Sequence, residues 1–357
     1  MSDQVVDDIV VLLPPLLQSL EALQFVARHL HPPAFGSVMA AIGEPDVVLQ
    51  EVRAQLAPWP EAFADLRGRL DAASDAALKA FAGLREAEQP GGDLPTVFRA
   101  LRHATRAQDA LYGTVARLPP VSAFFLPPAL REDAALLERL AAPPVPDSGV
   151  MHDGEPGRRG GFSLYVPEYY TPDRVWPLVV ALHGGSGNGR AFLWSWLADA
   201  RGMGAIVVAP TAIGPTWALM GDDADTPNLA RILDIVQSRW SIDPHRRLLT
   251  GMSDGGTFCH VTGLRAESPF THLAPVAATF HPLMAQVADA DRLRGLPIHL
   301  VHGRLDWMFP VQTARQARDA LALAGADVVY REIDDLSHCY PREINATLLG
   351  WLGAPSG

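Results

Sequence analysis

The 357-residue sequence predicts an α/β chain, a mostly parallel sheet with helices on both faces, preceded by an all-helical region. Two observations carry this expectation. Up to about residue 140 the apolar residues recur at three and four positions, the period of amphipathic helices, and beyond about residue 160 they cluster in short aliphatic or β-branched runs. Helix-length segments separate most of those runs, and strands alternating with helices imply parallel neighbours joined by crossovers.

In the first region Val6, Ile9, Leu13, Leu16, Leu20 and Leu23 fall on one helical stripe, and Val97, Leu101, Ala104, Leu111, Val115 and Leu118 on another. Proline lacks the amide donor and restricts its predecessor, so breaks are expected at Pro14-Pro15, Pro32-Pro33, Pro58, Pro90-Gly91-Gly92, Pro119-Pro120 and Pro127-Pro128. They divide the region into about five or six helices. The stretch AAPPVPDSGVMHDGEPGRRGG, residues 141–161, is rich in Pro and Gly without periodicity and reads as a linker or exposed crossover. A helical domain over 1–148 and a sheet domain over 149–357 are therefore expected. The strands of the second follow as FSLYVP, PLVVALHG, GAIVVAP, RRLLTG, HLAPVAA, PIHLVHG and DVVYREI, with helices such as NLARILDIVQSRW and TARQARDALALAG between them.

Composition narrows the chemistry. A hydrophobic content of 48% supports a sizeable core, and a net charge of -11 argues against nucleic acid or anionic lipid as partners. Lys79 is the only lysine, in the helix-like stretch DAALKAFAGLRE with no Gly-rich loop beside it, which removes most lysine-dependent chemistry. Cys259 and Cys339 are too few for a disulfide scaffold or a structural zinc site; burial as small apolar residues and a reducing, cytoplasmic location are expected. The N-terminus makes a poor signal peptide, and no segment approaches the 18 or more apolar residues of a membrane span, so no membrane insertion is expected.

Ligands collect outside the carboxyl ends of parallel strands, which directs attention to four loops: HGGSGNG, GMSDGG, HGRLDWMFP and DDLSHCYP. Ser253 lies in a G-x-S-x-G pattern between a strand and a helix, where a sharp turn needs small neighbours. Asp306 follows a strand in a loop closed by Pro310, and a carboxylate there can hold the proton-bearing nitrogen of a histidine; Asp289, Asp334 and Asp335 compete for this role. His338 is the only histidine after the last strand, where a base must enter to meet Ser253. His299 and His302 read as packed or hydrogen-bonded structural residues. The HGGSGNG loop supplies backbone amides for a developing oxyanion, with Gly185 as one donor and the amide of Asp254 as the second. A dinucleotide fingerprint fails there, because Arg190 stands where a third Gly is needed. Trp217, Phe280 and Trp307 lie in loops at the same edge and are expected to wall an apolar pocket. The acidic run GDDADTP lacks calcium-loop spacing and reads as a capped helix entry.

The motifs LHGGSGN, GMSDGG, HGRLDWMFP and LSHCYP, in that order, resemble an α/β-hydrolase, and more narrowly the phospholipase/carboxylesterase group and the related polyhydroxybutyrate-depolymerase and feruloyl-esterase-like enzymes. The resemblance covers about 161–352 and leaves the helical region unassigned. It implies an α/β-hydrolase fold and a serine esterase acting on a small-molecule ester. In that reading Ser253 is the nucleophile, His338 the base and Asp306 the acid, with no metal or organic cofactor. A peptidase or amidase with the same triad, or an idle hydrolase fold used for binding, are the alternatives. The helices of 1–148 are expected to act as a cap or as a homo-oligomerisation surface.

Overall fold

A computed structural model describes residues 3–155 and 157–353; the remaining residues at the two ends of the expected domains, and Pro156 of the expected linker, lie outside the described residues. The chain divides into two compact units, Met1–Ala141 and Ala142–Gly357.

The first unit is helical throughout, with helices Asp3–His29, Phe35–Ile42, Pro45–Gln55, Ala64–Glu88, Leu94–Tyr112, Pro119–Phe124 and Ala134–Ala141. Leu12, Leu16, Leu20, Leu23 and Val26 form the fully buried stripe of the first helix, which meets alanine-rich faces of the two long helices. The expected break at Pro14-Pro15 does not occur: both prolines lie inside Asp3–His29. An interior proline costs about 3 kcal/mol, and the continuous leucine stripe on both sides of the pair offsets that cost. The uninterrupted helix is longer in its apolar run than the sequence expectation allowed for. By length and composition it is apolar enough to cross a membrane, with a hydropathy of 1.7, while half of that window is buried inside the structure. The other expected breaks separate helices, and Pro119 and Pro120 open Pro119–Phe124, where a missing amide hydrogen costs nothing.

The second unit is built on one eight-stranded sheet: β1 Gly149–Asp153, β2 Phe162–Val166, β3 Trp176–Leu182, β4 Ile206–Pro210, β5 Ile242–Met252, β6 His272–Val276, β7 Pro297–Gly303 and β8 Asp327–Ile333. Its spatial order is β1-β2-β4-β3-β5-β6-β7-β8, with β2 antiparallel to both neighbours and the strands from β4 to β8 parallel. That order is the α/β-hydrolase fold. β1 lies within the stretch expected as linker. Among the described residues it pairs only with β2, it is mostly half-buried, and it lacks the aliphatic run that marks an inner strand. The inner strands are the reverse: Leu178 to Leu182 of β3 are at most 1% exposed. A buried ion pair ties the β2 end to a flanking helix, Arg201 Nε to Glu168 Oε1 at 2.8 Å, and Tyr165 donates its hydroxyl to Glu168 at 2.7 Å.

The chain winds from β3 outward to β4, then returns to β5 on the other side of β3. The loops at the carboxyl ends of β3 and β5 therefore flank the crevice where the winding reverses, the place where such sheets hold ligands.

Candidate active site

β5 ends at Met252 and helix Asp254–Gly263 begins two residues later, leaving Ser253 alone to turn the chain. It does so at φ +57° and ψ -120°, a conformation that L-residues rarely adopt. Hydrogen bonds hold the strained turn: Ser253 N donates to Val276 O at 2.9 Å, and Ser253 O accepts from Thr257 N at 2.8 Å. The flanking glycines are sterically required. A β-carbon on Gly251 would come within 2.5 Å of the Gly255 backbone, and one on Gly255 within 2.5 Å of the Leu182 and His183 carbonyl oxygens. The turn thus presses the helix start against the end of β3 and leaves the Ser253 hydroxyl at the sheet edge.

The loops after β7 and β8 are stitched together. Leu305 N donates to Leu336 O at 2.9 Å and Ser337 Oγ to Leu305 O at 3.3 Å. A β-carbon on Gly303, the last residue of β7, would overlap the Leu336 carbonyl. This brings Asp306 and His338 together with Ser253. His338 Nδ1 is 2.8 Å from Asp306 Oδ2, and His338 Nε2 is 3.0 Å from Ser253 Oγ. A carboxylate can only accept, so Nδ1 carries the ring hydrogen and Nε2 is left to accept from the serine hydroxyl. The edges of Phe309 and Trp307 confine the imidazole, with centroids 5.1 and 6.1 Å away.

The Asp306 side chain has no exposed surface. Burial by itself would raise its pKa, but the hydrogen bonds from His338 and from the Phe309 amide hold it below the ordinary carboxylate value. The competing acids are elsewhere. Asp334 is exposed and pairs with Arg304 at 3.1 Å, and Asp289 caps helix Ala290–Leu293 through Arg292 N.

The loop after β3 lies directly beside the turn. A β-carbon on Gly185 would be 2.8 Å from Asp254 Oδ2, so the two expected oxyanion donors sit on adjoining segments, and neither amide is taken up by a backbone acceptor among the described residues. The segment 211–219 holds both. Thr216 Oγ1 donates to Asp254 Oδ2 at 2.6 Å, Ser186 N donates to Pro215 O at 3.2 Å, and Arg159 donates to Ala212 O and Gly187 O at 2.8 and 3.1 Å. Asp225 in turn accepts from Ile213 N and Ala218 N, both at 2.8 Å, which gives the acidic run a structural task beyond capping.

Two buried histidines shape the loops around the site: His183, which the sequence does not single out, and His302, read from the sequence as a packed or hydrogen-bonded structural residue. His183 is buried, and burial lowers its pKa to about 4, so it is neutral; Nδ1 donates to Gly184 O at 2.6 Å and Nε2 accepts from Ala212 N at 3.1 Å. His302 reaches the acid loop, with Nε2 2.8 Å from Phe309 O and 3.4 Å from Asp306 Oδ2. The available signal was its position at the carboxyl end of β7, four residues before the acid.

Of the three aromatics expected to wall a pocket, only Trp307 stands at the surface, 40% exposed. The other two are corrected. Trp217 is 3% exposed, stacks on Phe258 at 5.3 Å and donates Nε1 to His183 O at 2.7 Å; Phe280 is 6% exposed and packs on His260 at 4.8 Å. Both belong to the sheet core, because their loops fold inward to cover its apolar edge. Cys259 and Cys339 are buried thiols, and burial pushes the Cys259 thiol far above its ordinary pKa.

No protein-family model matches the sequence. Over 215 residues the chain is 27% identical to a bifunctional acetylxylan esterase/xylanase from Neocallimastix patriciarum, covering 55% of this chain and 29% of that protein. The chain thus spans under a third of the curated relative it matches. Among solved structures it is similar to a ferulic acid esterase (TM-score 0.48, 17% identity, 57% of this chain and 97% of that one). A thermostable esterase is similar too (0.47, 22%, 57% and 61%), as is a fluorophosphonate-binding serine hydrolase of Staphylococcus aureus (0.46, 15%, 57% and 96%). The fold assignment rests on the strand order itself.

Proposed function

We propose that this chain is a serine hydrolase that cleaves carboxylic esters through an acyl-enzyme. The observation that carries the reading is one ring making two bonds: the His338 imidazole is hydrogen-bonded to Ser253 Oγ on one side and to a buried carboxylate on the other. The likeness to a bifunctional acetylxylan esterase/xylanase supports ester chemistry.

The steps follow from the geometry. His338 Nε2 takes the serine proton as Ser253 Oγ attacks the ester carbonyl carbon, and Asp306 stabilises the imidazolium that forms. The amides of Gly185 and Asp254 receive the negative charge that develops on the carbonyl oxygen, a contribution of about 10²–10³ in rate for each well-placed donor. The C–O bond then breaks, and the proton on Nε2 passes to the departing alkoxide. Water enters, gives its proton to Nε2 and releases the acid by the same path. Leu305, Trp307 and Met308, each more than a third exposed in the loop that carries Asp306, offer apolar surface suited to the hydrocarbon or aromatic part of a small ester, with Trp307 6.1 Å from the His338 ring.

Hydrolysis of p-nitrophenyl acetate by the full chain tests the reading. Ser253→Ala should reduce turnover by orders of magnitude with the fold intact; a folded Ser253→Ala protein with undiminished activity would overturn it.

A further inference from the structure

Resting on that functional reading, we infer that His302 is a positioning residue. Its Nε2–H locks the turn from Asp306 to Phe309 and thereby aims the Asp306 carboxylate at His338. The turn is the only segment carrying the acid, and its bonds converge on one arrangement. Asp306 Oδ1 accepts from Met308 N at 2.9 Å and from Phe309 N at 2.7 Å, which fixes the carboxylate relative to its own turn. Nothing in those two bonds fixes the turn relative to the sheet.

At the near end of the turn Asp306 N donates to Gly303 O of β7 at 3.3 Å, and His302 supplies the link at its far end, Phe309. His302 is the penultimate residue of β7, 1% exposed, and held in register opposite Glu332 of β8. The Phe309 carbonyl only accepts, so the Nε2 that lies 2.8 Å from it carries the hydrogen. The same Nε2 is 3.4 Å from Asp306 Oδ2, the oxygen that His338 uses. Burial, countered in part by the Phe309 bond and by Asp306, keeps the His302 pKa below the ordinary histidine value. The ring is therefore a neutral donor and does not compete with His338 for the carboxylate as a second cation. Through Phe309 the link reaches the base as well, since the Phe309 ring meets the His338 imidazole edge-on at 5.1 Å.

The experiment compares His302→Phe, which keeps a ring but no donor, with His302→Gln, whose amide retains one. Both are made in wild-type and Asp306→Asn backgrounds, and every rate is expressed per site titrated with a fluorophosphonate. Poor folding then lowers the count of sites without altering the rate per site. His302→Phe should lower kcat by about 10–100-fold, the scale of a misplaced reacting group, with KM little changed. His302→Gln should recover most of that loss. In the Asp306→Asn background His302→Phe should add almost nothing, because the group it aims is already disabled. If His302→Phe yields no titratable protein, His302→Asn, too short to reach Phe309, should show the same loss. A kcat per site within twofold of wild type in His302→Phe or His302→Asn, while Asp306→Asn is slow, would overturn the inference and leave the esterase reading standing. A wild-type protein that neither hydrolyses esters nor reacts with the fluorophosphonate would remove the reading itself.

Discussion

A β-carbon at Gly255 would stand 2.5 Å from the carbonyl oxygen of His183, far inside van der Waals contact. The start of the helix after Ser253 and the loop carrying Gly185 are therefore in contact backbone to backbone. Both expected oxyanion amides depend on that approach. Gly255→Ala should lower ester turnover per folded molecule by about 100-fold. Gly68→Ala, a helix position where a β-carbon meets nothing within 4 Å, should leave turnover unchanged and serves as the control.

Asp306 is hydrogen-bonded on both oxygens and buried, so replacing it with an amide keeps the shape of the site while removing the charge. An asparagine can also present its NH₂ to His338 and select the wrong tautomer. Asp306→Asn should cost about 10⁴ in kcat at neutral pH, read in steady-state kinetics. A loss below about tenfold would assign the acid's part to another group.

Trp217 distinguishes a core side chain from a pocket wall. As placed, its indole donates to the buried His183 carbonyl, so Trp217→Phe leaves that acceptor without its partner. The expected result is a loss of about 1–3 kcal/mol in denaturant unfolding with the ranking of acyl chain lengths unchanged. A shifted substrate ranking at undiminished stability would return Trp217 to the pocket.

Acid should unfold the sheet unit through two neutral histidines. Burial lowers the pKa of His183 to about 4 and of His260 to about 3, from an ordinary value of 6.5. In the unfolded chain both take up a proton near 6.5, so their contribution to stability is complete above that pH and declines as pH falls toward the folded values. The slope is about 1.4 kcal/mol per pH unit for each group. Unfolding titrations between pH 7 and 4 should show it. His260→Leu should flatten the decline, since the buried His260 Nδ1 has no partner to lose among the described residues.

The site was legible where chemistry and chain order coincide. Ser253, Asp306 and His338 each follow an aliphatic run, and a parallel sheet carries all such loops to one edge whatever their separation in sequence, here 85 residues between the serine and the histidine. What sequence could not show depends on three-dimensional neighbours. β1 has a hydrogen-bonded partner but no aliphatic pattern, and Pro14-Pro15 breaks a local rule that burial of the surrounding leucines overrides. His183 and His302 are ordinary histidines until the carbonyls of Gly184 and Phe309 are seen beside them. Trp217 and Phe280 lie in loops after strands, but whether a loop aromatic turns outward or into the core is decided by packing that spacing does not encode.

The most direct measurement is mass-spectrometric mapping of a fluorophosphonate adduct on the 357-residue chain. The account predicts a single adduct on the peptide containing Ser253, formed far more slowly in His338→Ala. Absence of an adduct, or one on another serine that persists in Ser253→Ala, would contradict it.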